Sequence, residues 1–183
     1  MMIERIRREH GYMARLLTIL NTKLELLKKE RAINYSLVAE VVHYLMNHSD
    51  SVHHPKEDII YRHYLKHYGK QQAIEDLELE HQILAEKTAD FLDVVEMILQ
   101  DAVVPQQVFI DQLAAFIEAQ RKHMEYEEKV ILPIIVGAFS VQDWRSVEEL
   151  WQQPEDDPVF GDTIADQYRQ LATRVRQSEK ECV

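Results

Sequence analysis

Residues 48–64 read HSDSVHHPKEDIIYRHY, and His53 and Glu57 inside that stretch decide how the rest of the chain is read. Side chains four apart on a helix share a face, so this imidazole and this carboxylate can converge on one interior point. Pro55 lacks an amide hydrogen and disfavours an α conformation at His54, which predicts a kink or a short interruption just before it. Ile60 and Tyr64 continue the inward stripe at three- and four-residue steps, which selects His53 rather than His54 as the ligand candidate. The spacing recurs at His123 and Glu127 in HMEYEEKVILP. A single histidine precedes each pair in an apolar helical stretch, His10 by 43 residues and His81 by 42.

The totals narrow the class. A chain of 183 residues is read most simply as one domain with a substantial core, and four glycines with five prolines suit long helices. A net charge of −11 argues against nucleic acid and against acidic membrane surfaces as partners. Cys182 is the only cysteine, so no disulfide framework is expected and a reducing compartment is the default. With charges from Glu4 onward and no long apolar run, no signal peptide or membrane span is expected, and the location expected is cytoplasmic.

Taken in order, the chain predicts an antiparallel all-α four-helix bundle over residues 1–137. A helical extension, 138–183, is expected to pack on the bundle and not to form a separate domain. The first helix, over about 3–27, carries Ile3, Ile6, His10, Met13, Leu17, Leu20, Leu24 and Leu27 inward. The second carries Leu37, Val38, Val41, Val42 and Leu45 before reaching the histidine-rich stretch, and Tyr68, Gly69 and Lys70 mark its end. The third, over about 71–99, has Ile74, Leu77, His81, Leu84, Phe91, Val95 and Ile98 in register. The fourth has Phe109, Leu113, Phe116, His123, Glu127, Val130 and Ile134, with a kink expected at Pro133. Ser140 and Asp143 match a loose capping box ahead of a short helix through Trp151. A loop over 152–161 then leads to a last amphipathic segment with Ile164, Tyr168, Leu171 and Val175, which is expected to dock on the bundle or on a second copy. The basic run Arg5, Arg7 and Arg8 opposes the dipole of the first helix, and a contact with acidic surface elsewhere is the only account of its placement.

Four such helices can bring His10, His53, His81 and His123 into one layer, with Glu57 and Glu127 facing each other. Two unpaired carboxylates in an apolar interior would repel and lose solvation, whereas two divalent or trivalent cations resolve the conflict. Imidazole and oxygen donors suit iron and permit manganese, zinc or cobalt. With an oxide or hydroxide between the metals, at least one coordination position is left for dioxygen, nitric oxide or peroxide. The competing expectations are a non-enzymatic sensing or interaction module and a metal-free bundle whose core histidines are simply hydrogen-bonded. No residue presents itself as a catalytic acid or base, though Tyr12, Tyr126 and Glu128 are expected near the ligands.

The ordered set of His10 in REHGYM, His53 and Glu57 in HHPKED, His81 in LEHQ, and His123 and Glu127 in HMEYEE resembles the hemerythrin-like, or HHE cation-binding, family. The resemblance implies a four-helix bundle holding a non-haem centre of two iron ions, bridged by both carboxylates and by oxygen. His10 with His53 would ligate one iron, and His81 with His123 the other. The oxygen-carrying branch has a fifth histidine one turn from the third-helix ligand, where this chain has Leu77 and Ala85. That branch also places its last carboxylate one residue later, at the position held here by Glu128. The ligand pattern is more similar to the bacterial iron–sulfur cluster repair di-iron proteins. This implies stress chemistry, with an apo iron–sulfur protein as a partner. Those proteins often carry a cysteine-containing N-terminal module, for which His10 is expected to lie too near Met1. A homo-oligomer through the terminal helices is the other partner expected.

Overall fold

The computed structural model describes residues 1–151 and 157–181, with side chains as far as Gln177. The first half of the expected 152–161 loop and Cys182 therefore lie outside the described residues. Helix α1 is Met2–Lys28. Helix α2 covers 35–68 as one rod in three parts, Tyr35–Tyr44, Leu45–His53 and His54–Tyr68. Helix α3 is Leu77–Leu99, preceded by the single turn Gln72–Glu75, and α4 is the continuous Gln106–Ala138. Two shorter helices follow, α5 over Val141–Leu150 and α6 over Arg169–Glu181. No strand occurs among the described residues.

The local chemistry explains where these helices stop. Asn34 caps α2 by accepting the Leu37 amide at 3.1 Å. Gly69, at φ +95, ends it in a conformation that a side chain would strain. Ser140 and Asp143 form the reciprocal capping box expected of them at the start of α5.

Each long helix crosses the same two apolar clusters, in alternating direction. One cluster gathers Met2, Ile3 and Ile6 of α1, Ile60, Tyr61 and Tyr64 of α2, Leu77 of α3, and Ile131, Leu132 and Ile135 of α4. The other takes Met13 to Leu27 of α1, Leu37 to Leu45 of α2, Phe91 to Val95 of α3, and Phe109 to Met124 of α4. Chain direction therefore reverses from each helix to the next, which makes the body an up-down-up-down bundle. Between the clusters lies a polar layer, with His10, His53, Glu57, His81, His123 and Glu127 all buried. The short helices cover the two apolar ends. Trp144 and Val147 of α5 join the first cluster, and Leu171, Ala172 and Val175 of α6 join the second. Val141, at the start of α5, stands exposed.

The kinks expected at the two prolines are wide turns. The stretch Leu45–His53 and the stretch Glu127–Ile131 are both π-helical. The His54 amide donates to the carbonyl of Ser49 and the Leu132 amide to that of Glu127, each five residues back. In both places the next residue is a proline, whose ring would collide with the carbonyl four residues before it. Widening the preceding turn is one way a helix accommodates that ring without breaking. A π-turn inserts one residue into the helical repeat, so every inward position after it moves on by one. That corrects the register expected for the end of α4. Val130 is 38% exposed, whereas Ile131 is 0% exposed, and Ile135 rather than Ile134 is buried.

This register makes a direct prediction. Ile131→Ala should cost about 2–4 kcal/mol in denaturant unfolding and Val130→Ala less than about 0.5 kcal/mol. Equal costs at the two positions would contradict the shifted register.

Candidate metal centre

Glu57 and Glu127 are both fully buried, and the imidazole Nε2 atoms converge on their oxygens. His10 Nε2 lies 3.2 Å from Glu57 Oε1 and 3.4 Å from Glu127 Oε2. His53 Nε2 is 3.3 Å from Glu57 Oε1, and His123 Nε2 is 3.3 Å from Glu127 Oε1. His81 Nε2 reaches both carboxylates, at 3.3 Å from Glu127 Oε1 and 3.6 Å from Glu57 Oε2. The four-residue spacing within α2 and within α4 supplies two of these pairs directly, as helical geometry requires.

The opposite ring nitrogens face outward to a second set of acids. His10 Nδ1 is 2.8 Å from Glu128 Oε1, His53 Nδ1 is 2.6 Å from Glu9 Oε2, and His81 Nδ1 is 2.9 Å from Asp58 Oδ1. His123 Nδ1 lies 3.5 Å from Glu80 Oε2. A carboxylate behind an imidazole fixes its tautomer with the proton on Nδ1, turns the ring, and makes Nε2 a better donor to a cation. The Tyr61 hydroxyl donates to Glu127 Oε1 at 2.7 Å and orients that carboxylate. Glu9 also accepts from buried Lys56 at 2.5 Å, and the Lys56 ammonium lies 5.2 Å from the centre of the Trp151 ring.

The inward atoms fit a cation better than they fit one another. His10 Nε2, His53 Nε2, His123 Nε2, both oxygens of Glu57 and Glu127 Oε2 are buried without a hydrogen-bond partner among the described residues. They lie within ion-pair distance but off the line of a hydrogen bond. Orphaned buried polar atoms are costly, at about 1–3 kcal/mol each, and shared ligation of a metal removes that cost for a whole cluster. Among the described residues, two groups have ligand atoms all within 4.8 Å of one another: His10, His53 and Glu57, and His54, Glu57, His81 and His123. Glu57 belongs to both.

Electrostatics tell the same story. Burial and the neighbouring Glu127 disfavour charge on Glu57, yet His53 and His10 hold its carboxyl below the usual range. Burial likewise opposes charge on Glu127, and His123, His10 and His81 overcome it. The reciprocal effect overcomes burial at His10, where Glu127, Glu128 and Glu57 push the pKa up to about 12. At His81, Asp58 and Glu127 push it up to about 10. Without a metal, protons on the imidazoles supply the positive charge that the two glutamates require.

All six residues expected from the sequence come together in this layer. Of the three neighbours expected, Glu128 backs His10. Tyr12 stacks on Phe160 with ring centres 4.1 Å apart, and Tyr126 lines a groove beside His123. The basic run finds a place as well. Arg7 lies 3.5 Å from Glu128, while Arg5 and Arg8 line a cavity of about 320 Å³ with Tyr12, His48 and Lys56 behind Glu9. Sequence reasoning set His54 aside in favour of His53, although its side chain is buried too, and it missed Glu9, Asp58, Glu80 and Tyr61. Asp58 and Tyr61 sit next to Glu57 and one turn beyond it. For Glu9 and Glu80 the only signal is that each immediately precedes a candidate histidine that the helical stripe turns inward.

Fold and site together define a metal-binding helical bundle. Residues 1–135 match the family model described as Hemerythrin HHE cation binding domain, and the chain belongs to that family. No curated protein and no solved structure gave a significant match. No single helix among the described residues is long and apolar enough to cross a membrane.

Tyr61→Phe removes the hydroxyl that orients Glu127 and leaves the ring in place. Its affinity for divalent metal should fall by about tenfold, with helical content by circular dichroism unchanged. Parental affinity in that variant would remove Tyr61 from the support of the centre.

Proposed function

We infer that the chain holds two iron ions, one between His10 and His53 and one between His81 and His123, with Glu57 and Glu127 shared by both. The centre would bind or react with dioxygen, nitric oxide or peroxide. The observation that carries this reading is the orientation of the four rings, Nε2 toward the carboxylate pair and Nδ1 toward an outer acid. Hydrogen bonding among core histidines alone gives no reason for four rings from four helices to turn the same way.

When bound, the metal pair supplies Lewis acidity and a place for a small ligand to exchange electrons with adjacent ions. The chain supplies the rest. Glu128, Glu9 and Asp58 fix the tautomer and angle of the His10, His53 and His81 rings, Glu80 lies 3.5 Å from His123 Nδ1 without a hydrogen bond to it, and Tyr61 fixes Glu127. The apolar clusters on either side of the layer limit access of water. No side chain is placed as a general acid or base toward a substrate, which suits binding, sensing or iron handling in stress as much as turnover. Manganese or zinc would fit the same donors.

Anaerobic reconstitution with iron followed by separate additions of oxygen and nitric oxide tests the reading. About two irons per chain, an absorption band of an oxo-bridged pair and a distinct spectrum with nitric oxide are expected. Fewer than one metal per folded chain would overturn it. Because protons occupy His10 and His81 when metal is absent, uptake must release them. Apparent affinity should therefore strengthen between about pH 6 and about pH 9. Affinity independent of pH across that range would show that these imidazoles are not displaced by the ion.

A further inference from the structure

We propose that the cavity enclosed between α1, α2 and residues 157–162 binds one small oxyanion, a carboxylate or a phosphate, through Arg8, Tyr12, His48 and Lys56. Its occupancy is linked to metal bound through His53. The linkage rests on the metal-binding reading above, whereas the anion site stands on the geometry of the cavity alone.

The cavity holds about 320 Å³. Its far wall is made by Asp157, Gly161 and Asp162, which lie beyond residues 1–135 of the matched domain. The bundle of that domain therefore does not supply this space by itself.

A count of donors and acceptors gives the class of ligand. The acids on the walls are already engaged. Glu9 accepts from Lys56 on one oxygen and pairs with His53 Nδ1 on the other, at 2.5 and 2.6 Å. Asp157 Oδ2 accepts the Tyr44 hydroxyl at 2.7 Å, and its Oδ1 accepts the amides of Val159 and Phe160, both at 2.8 Å. Asp162 and Arg5 also have partners. The groups left over are donors. Arg8 has no ion pair among the described residues, and the Tyr12 hydroxyl has no hydrogen bond among them. His48 Nε2 is buried without a hydrogen-bond partner, although Asp157 Oδ2 lies 3.3 Å away. Lys56 is 2% exposed, and Glu9 takes only one of its three N–H groups. Unused donors around a cavity call for an acceptor, and cationic ones call for an anion. A carboxylate or phosphate oxygen answers both, and a guanidinium can hold either in bidentate fashion. Two of the three arginines in the basic run of α1 thus face a space that needs them, in a chain whose net charge is −11.

The floor of the cavity is the back of the metal centre. Lys56 holds Glu9, Glu9 holds His53 Nδ1, and His53 Nε2 faces Glu57. An anion held by Lys56 adds negative charge behind Glu9, and a cation bound through His53 is attracted by it. Each ligand then strengthens the other, as linkage requires.

Titration calorimetry at constant ionic strength tests this, with inorganic phosphate and separately with succinate. At least one of the two should bind metal-free protein at one site per chain, with a Kd below about 1 mM. The anion that binds decides the class. Amide NMR signals of Val52 and Gly161, which line the cavity, should shift with the same constant. Loading with zinc, which brings no redox chemistry, should tighten that constant about fivefold or more. Arg8→Gln should weaken anion binding at least about tenfold, with helical content and anion-free zinc affinity unchanged. Saturable binding of neither anion by the parent protein would overturn the proposal, and that result needs no variant to fold. Parental anion affinity in Arg8→Gln would overturn it too, because an anion bound directly to zinc survives that change. Equal affinity with and without zinc would overturn the linkage. Failure to bind zinc would overturn the metal-binding reading, and the metal-free titration would still decide the anion site.

Discussion

Two fully buried carboxylates side by side, Glu57 and Glu127, impose the condition that the rest of the bundle meets. Left uncompensated in a low-dielectric interior, each would cost several kcal/mol, and one would protonate. Instead four histidines from four helices surround them at 3.2–3.6 Å and hold both ionised. A second ring of acids then compensates the histidines. The layer is thus built outward from two negative charges in alternating shells, and an apolar cluster closes it on each side. Cations at the middle would satisfy the inward atoms that have no hydrogen-bond partner among the described residues.

The helices would deliver this layer less well if they were regular. Both helices that contribute a carboxylate carry a π-turn ahead of a proline, and in each case a candidate donor sits at the edge of that turn, His53 in α2 and Glu127 in α4. The extra residue has two effects. It buries consecutive histidines in α2, and in α4 it resets the apolar stripe so that Ile131 and Ile135 rejoin the core beyond Glu127. Proline restricts the backbone at the points where the centre needs an unusual turn, so the same feature that threatens the helix also shapes the site.

Much of this was legible in the sequence. The three- and four-residue steps from Ile3 to Leu27 gave α1 its buried face, with His10 in it, because an amphipathic helix in a bundle has few other ways to pack. Pairing His53 with Glu57 and His123 with Glu127 needed only the rise and twist of a helix. What stayed hidden depends on geometry that no fixed period contains. His54 is buried beside His53 only because the turn before it is wide. Val130 and Ile134 lose their expected places for the corresponding reason. The outer acids other than Glu128 stayed hidden for a different cause: Glu9 lies 44 residues from the His53 it supports, so their meeting depends on how whole helices pack.

The central claim is that the glutamate pair exists to be shared by two cations. Anomalous diffraction at the iron absorption edge, from crystals of iron-loaded protein, tests it most directly. Two peaks should appear within the polar layer, both in contact with Glu57 and Glu127, one against His10 and His53 and one against His81 and His123. A well-ordered layer with a single peak that touches only one glutamate, or peaks confined to surface acids, would contradict the account.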